Sequence, residues 1–214
     1  MQKYFLDKNS DELLIFFCGW GLDEIPFKGY IAECDVLFLF NYSNLNLDFD
    51  FSKYSKITLL AYSYGVFMSG LFKDKLPKID CSIALNGTLK AIDDEFGIPE
   101  KIFALTLENM NLETALKFRR KLFNKEEDYQ KFNKNLPNRL LEDSLAELDF
   151  IKKCAQEYKK IDFDFDKVII ASDDKIYPTK SQRAFWKNHK NIKELNSGHF
   201  PFYLFKGFQD IIEL

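Results

Sequence analysis

A serine, an aspartate and a histidine, the three residue types that together make a nucleophile of a hydroxyl, occur in that order at Ser63, Asp174 and His199. Ser63 lies in Ile57-Thr58-Leu59-Leu60-Ala61-Tyr62-Ser63-Tyr64-Gly65, which reads as a buried strand, a sharp turn with the serine at its apex, and the start of a helix. Small residues at Ala61 and Gly65 would let strand and helix cross closely. The bare pentapeptide is common by chance, and by itself it reads sooner as a serine that caps the following helix. A base, an acid and an oxyanion site elsewhere in the chain would give it chemistry.

His199 lies in a Gly-containing loop, Asn196-Ser197-Gly198-His199-Phe200-Pro201, after the last predicted strand. From there an imidazole could take the Ser63 proton. Asp174 follows the preceding strand and would fix the imidazole tautomer and stabilise its charged form. Asp173 is its rival, and the spacing to Pro178 favours Asp174. The other histidine, His189, ends a predicted helix and adjoins no apolar strand. Cys18-Gly19-Trp20-Gly21-Leu22 closes an earlier strand, and its two glycines could aim a main-chain N–H at a ligand. The oxyanion donors expected are therefore the N–H groups of Trp20 and Tyr64. An ordinary turn with Trp20 in the core is the alternative. A dinucleotide loop is excluded, because Glu24 stands where its third glycine would be.

These residues need a sheet that brings the carboxyl ends of its strands together. Lys3 to Asp7 and Leu13 to Cys18 read as strands joined by a polar turn long enough for an antiparallel hairpin. Leu13 to Cys18 is apolar throughout, as expected of a strand covered on both faces. A short helix, a strand over Asp35 to Tyr42, the Ile57 strand, an amphipathic helix over Gly65 to Leu76 and a strand over Asp80 to Asn86 follow. Lys167 to Ser172 and Asn191 to Leu195 read as strands, with a helix over Thr179 to His189 between them that Thr179 could cap. Phe202 to Leu214 reads as a terminal apolar helix. The alternation predicts an α/β protein with a mostly parallel sheet flanked by helices.

The segment about 99–161 differs: it is charged, helical in pattern and broken near Asn135-Leu136-Pro137-Asn138. It reads as a helical cap inserted into one domain spanning residues 1–214. Leu112, Ala115, Leu116, Leu122 and Phe123 make one apolar face there, and Leu141, Leu145, Leu148 and Ile151 another.

The 214 residues carry a formal net charge of -3, which gives no general pull toward nucleic acid. The 23 Phe and 10 Tyr point first to a bulky core and only then to an apolar pocket. Four cysteines without a C-x-x-C pair, three of them in apolar runs, suggest free thiols and a reducing cytoplasm. No apolar stretch approaches the ~18 residues of a membrane span. Neither nucleic acid nor membrane is therefore expected as a partner, no metal or other cofactor is implied, and the oligomeric state stays open.

The chain resembles the BioG family, pimeloyl-[acyl-carrier protein] methyl ester esterases of biotin synthesis with the α/β-hydrolase fold. The likeness rests on Phe17-Cys18-Gly19-Trp20-Gly21, Asn46-Leu47-Asp48-Phe49-Asp50, Ala61-Tyr62-Ser63-Tyr64-Gly65, Asn86-Gly87-Thr88, Asp93-Asp94-Glu95-Phe96-Gly97-Ile98-Pro99, Thr106-Leu107-Glu108-Asn109, Asp174-Lys175-Ile176 and Gly198-His199. It implies that Ser63, Asp174 and His199 form a triad and that methanol is released while pimeloyl stays on its acyl-carrier protein. Tyr62 and Tyr64 stand where members often have Trp and Met, and Cys18 where Ala or His is found, which bears on pocket size. An acidic carrier would need a basic docking surface, for which Lys117, Arg119, Arg120 and Lys121 are candidates; a solvated helix face is the alternative. Two other functions compete: hydrolysis of other esters or thioesters, and a catalytically inactive hydrolase fold used for binding.

Overall fold

The computed structural model describes residues 1–214. Seven strands form its central sheet: β1 (Gln2–Leu6), β2 (Glu12–Phe17), β3 (Asp35–Phe40), β4 (Lys56–Tyr62), β5 (Cys81–Leu85), β6 (Lys167–Ala171) and β7 (Ile192–Leu195). Their spatial order is β1-β3-β2-β4-β5-β6-β7. All neighbours are parallel except β1, which runs antiparallel to β3. The sequence is right about a mostly parallel sheet but wrong about a β1–β2 hairpin. β3 lies between the two, pairing Val36 with Leu6 on one side and Leu14 on the other. A strand that is apolar from Leu13 onward, as β2 is, gains more from two parallel neighbours and helices on both faces than from a solvated hairpin partner.

Strand periodicity divides the core. Leu13, Ile15 and Phe17 enter a cluster on one face of the sheet, and Leu14 and Phe16 enter one on the other. The second cluster takes up much of the phenylalanine: the Phe16 ring lies 5.0 to 5.7 Å from those of Phe27, Phe202 and Phe208. Such tilted and edge contacts suit the ring quadrupole.

The helices are α1 (Tyr64–Leu71), α2 (Glu100–Asn109), α3 (Leu112–Lys121), α4 (Glu126–Asn133), α5 (Leu141–Glu157), α6 (Thr179–Trp186) and α7 (Phe208–Ile212). Helices α2 to α5 all fall between β5 and β6. Helix α1 is shorter than expected and is not amphipathic: Tyr64 to Gly70 are all buried. A helix covered on every side needs no polar face. Leu112 and Leu116 of α3 are 75% and 50% exposed, so the apolar face read there is a core face only at its end, where Leu122 and Phe123 are buried. Thr179 does not cap α6, since Pro178 holds that position; its hydroxyl donates to the Ala171 carbonyl at 2.8 Å. The terminal helix is broken into a turn at Phe202–Leu204 and the short α7. Between them the chain bonds main chain to main chain with Ile31 (Ile31 N–H to Lys206 O, Phe208 N–H to Ile31 O), which a continuous helix could not do.

At the amino edge of the sheet, the fully buried Asp35 accepts the Lys8 and Ser10 N–H groups on Oδ1, and Lys53 Nζ and the Tyr54 hydroxyl on Oδ2. It ties two loops to the start of β3. Burial opposes its charge, but those donors prevail and hold the carboxyl down at about 2. Of the four free cysteines, Cys18 and Cys154 are buried and Cys34 and Cys81 half-buried. No helix is long and apolar enough to cross a membrane.

Candidate active site

At the carboxyl edge, β4 runs into α1 through Ser63, whose φ of 57° and ψ of -125° are strained for a residue with a side chain. The neighbours over-determine the turn. Ser63 N–H donates to Leu85 O at 2.8 Å, and a Cβ at Gly65 would lie 2.2 Å from Phe17 O, so only glycine lets α1 approach β2 so closely. The turn therefore aims Ser63 Oγ away from the strand. His199 Nε2 lies 2.9 Å from it.

His199 Nδ1 lies 2.7 Å from Asp174 Oδ2, and all three side chains are buried. An Nδ1–H donated to the carboxylate leaves Nε2 as acceptor for the Ser63 hydroxyl. Asp174 Oδ1 accepts the N–H groups of Ile176 and Tyr177 at 2.9 and 2.8 Å, and Oδ2 also accepts Gln182 Nε2 at 3.1 Å. Asp173 points outward, exposed and 3.5 Å from Lys175. His189 bonds the Phe165 carbonyl at 2.7 Å and lies away from the serine turn.

Several supports were not read from the sequence. The His199 carbonyl accepts Asn86 Nδ2 at 2.7 Å and the Tyr62 hydroxyl at 3.0 Å. Burial pushes the Tyr62 phenol well above its ordinary value, so it stays a donor. Asn86 in turn accepts the Ala171 N–H at 2.6 Å, tying the histidine loop to β6. Asn86-Gly87 directly after an apolar strand was the available signal. For Gln182 it was a polar residue one helical turn into α6, the helix that follows the Asp174 loop.

The N–H groups of Trp20 and Tyr64 donate to no acceptor in the protein. Tyr64 opens α1, where such groups have no partner in the helix and carry its positive end. Both residues line, with Ser63 and His199, one cavity. Its walls are largely apolar, including Ile102, Phe103 and Phe118 from α2 and α3, and its only charged side chains are Lys121 and Lys175. Trp20 and Phe118 meet edge-on at 4.8 Å, separating this cavity from a second one that Leu112, Leu116 and Arg119 line.

The four basic residues of α3 do not form one patch. Lys117 and Lys121 line the groove between α2 and α3 that adjoins the serine cavity, and Lys117 also pairs with Glu113 at 2.6 Å. Arg119 faces the second cavity. Arg120 turns back to the Phe123 carbonyl and Glu126.

Residues 1–211 match the model of the family described as pimeloyl-ACP methyl esterase BioG. The crystal structure of BioG from Haemophilus influenzae superposes with a TM-score of 0.92 at 30% identity, over 99% of this chain and 100% of that one. A malonyl-[acyl-carrier protein] O-methyltransferase of Bacteroides fragilis is 36% identical over 193 residues, 88% of this chain but only 39% of that protein. A lipase-esterase related protein from Clostridium acetobutylicum, 18% identical over 99% of this chain and 97% of its own with a TM-score of 0.63, shares the fold. A serine turn of this form on a mostly parallel sheet, in a chain matched from end to end by one family, leads to one assignment: the chain belongs to the BioG family and is a carboxylic ester hydrolase of the α/β-hydrolase fold.

Proposed function

We propose that the protein hydrolyses the methyl ester of pimeloyl-[acyl-carrier protein] through a Ser63-His199-Asp174 triad. The hydrogen-bonded line from Asp174 through His199 to Ser63, ending beside two unpaired main-chain N–H groups, is the observation that carries this reading. Ser63 Oγ attacks the ester carbonyl as its proton passes to His199 Nε2, and Asp174 stabilises the imidazolium. The oxyanion is received by the N–H groups of Trp20 and Tyr64, each worth roughly 3 to 4 kcal/mol of barrier. His199 returns the proton to the leaving oxygen, methanol departs, and the acyl group stays on Ser63. A water then attacks with His199 as base, releasing the carboxylate and restoring the serine.

The apolar cavity suits the methylene chain, and the family description supplies the acyl group and the carrier. The methyltransferase relative bears the name of an activity that makes esters of the class cleaved here. Residues 1–214 act as one domain in a cytoplasmic setting, with the segment about 99–161 as a cap over the serine. An acidic carrier docks on the cap with Lys117 and Lys121 flanking the groove that its arm follows; Arg119 and Arg120 play a smaller part, because they are turned elsewhere.

The test is methanol release from the carrier-bound ester beside a free methyl ester of the same chain. A strong preference for the carrier substrate is expected. Equal turnover of the free ester would leave the serine chemistry standing and remove the carrier from the account.

A further inference from the structure

Glu147 of α5 and Arg139, just before it, are buried and joined at 3.2 Å, with side chains 0% and 3% exposed. Stability alone does not call for such a pair, since apolar residues of similar volume usually serve as well. The pair reaches two turns distant in sequence, at the carboxyl ends of β2 and β3. Glu147 Oε2 accepts the Gly21 N–H at 3.1 Å and Oε1 accepts the Tyr42 N–H at 3.0 Å, across 126 and 105 positions of chain. Arg139 donates to the Leu22 carbonyl at 3.0 Å and to Asn41 Oδ1 at 2.8 Å.

Both turns bear on Trp20. The Tyr42 hydroxyl donates to the Cys18 carbonyl at 2.8 Å, just before the Gly19-Trp20 pair. Trp20 Nε1 donates at 2.6 Å to the carbonyl of Ser144, one turn before Glu147 in α5. Gly21 takes a left-handed φ of 70° immediately after Trp20, a conformation that glycine alone would leave free to relax. The main chain is thus held at Cys18, Gly21 and Leu22, and the Trp20 N–H between them is left unbonded beside Ser63.

We propose that Glu147 and Arg139 are positioning residues for the oxyanion donor at Trp20, so that α5 takes part in transition-state stabilisation without touching substrate. This rests on the reading that Ser63 attacks and Trp20 N–H receives the oxyanion. A carboxylate is required because two inward N–H groups and a guanidinium must all find acceptors. In Glu147→Gln one oxygen becomes an NH₂, which must face one of those donors.

The experiment compares Glu147→Gln with wild type in kcat and KM for the methyl ester, and in Ki for an alkylboronic acid, which forms a tetrahedral adduct on the serine. Donor misplacement should lower kcat by roughly ten- to a hundredfold, short of the 10² to 10³ for outright loss of a donor. KM should stay within about twofold, and the boronate Ki should rise in step with the fall in kcat. Melting temperature and circular dichroism report whether the variant is folded. Arg139→Lys keeps the charge but cannot span both the Leu22 carbonyl and Asn41, and should show the same split at several-fold; it carries the test if Glu147→Gln does not fold. A folded variant with unchanged kcat and boronate Ki, or with KM alone raised, overturns the proposal, as does a lower melting temperature with intact kinetics. Ser63→Ala separates the underlying reading: activity retained there would sink the triad whatever Glu147 does.

Discussion

Asp35 and Asp174 are buried carboxylates at opposite edges of one sheet, and they are built alike. Each accepts two main-chain N–H groups on Oδ1 and two side-chain donors on Oδ2. At the amino edge the side-chain donors are Lys53 and Tyr54, which lead nowhere further. At the carboxyl edge one of them is His199, whose far nitrogen meets Ser63 Oγ in a cavity. A buried, saturated carboxylate is therefore no sign of catalysis. What distinguishes Asp174 is a partner whose second nitrogen is hydrogen-bonded to a hydroxyl lining a cavity, the arrangement on which the proposed triad rests.

The comparison breaks most sharply by substitution. Asp174→Asn should lower kcat by about 10⁴, because the amide favours the wrong imidazole tautomer; steady-state kinetics beside a melting curve should show activity lost and the fold kept. Asp35→Asn should do the reverse, costing about 2 kcal/mol, the scale of charged hydrogen bonds, with kcat unchanged, as read by urea denaturation.

That second effect has a defined pH course. The folded carboxyl titrates at about 2, below the ~3.9 of an unfolded chain. Its contribution is present above about pH 4 and is lost as pH falls toward 2. Wild-type and Asp35→Asn stabilities should converge across that window and stay apart at neutral pH.

Smaller effects sharpen the contrast. Gln182→Leu removes one of four donors to Asp174, and kcat should fall about tenfold, the rate equivalent of roughly 1.5 kcal/mol. Lys117→Glu should raise KM for the carrier-bound ester several-fold with kcat retained, and added salt should shrink the difference. Titrating sodium chloride in both proteins checks this.

What was legible in the sequence follows the same division. Ser63 directly follows the apolar β4, and Asp174 and His199 lie in the loops just after β6 and β7, so local pattern and chain order were enough to nominate them. The parallel sheet was legible because β2, β3 and β4 are apolar at nearly every position. Pairing was not: a polar turn after β1 suggests a hairpin, and only the competition of β3 for both neighbours excludes it. Glu147 was hidden because the main-chain N–H groups it accepts, at Gly21 and Tyr42, lie more than a hundred positions away. Its faint signal was a carboxylate on the face of α5 that carries Leu148 and Ile151, where a solvated helix would not place one.

The most direct test of the account is mass spectrometry of the protein after a fluorophosphonate probe, with methanol release measured on the same samples. A single adduct on the Ser63 peptide should accumulate in step with loss of methanol release, and Ser63→Ala should neither label nor release methanol, falling by about 10⁶. Labelling at another residue, or methanol release that survives Ser63→Ala, would contradict the account.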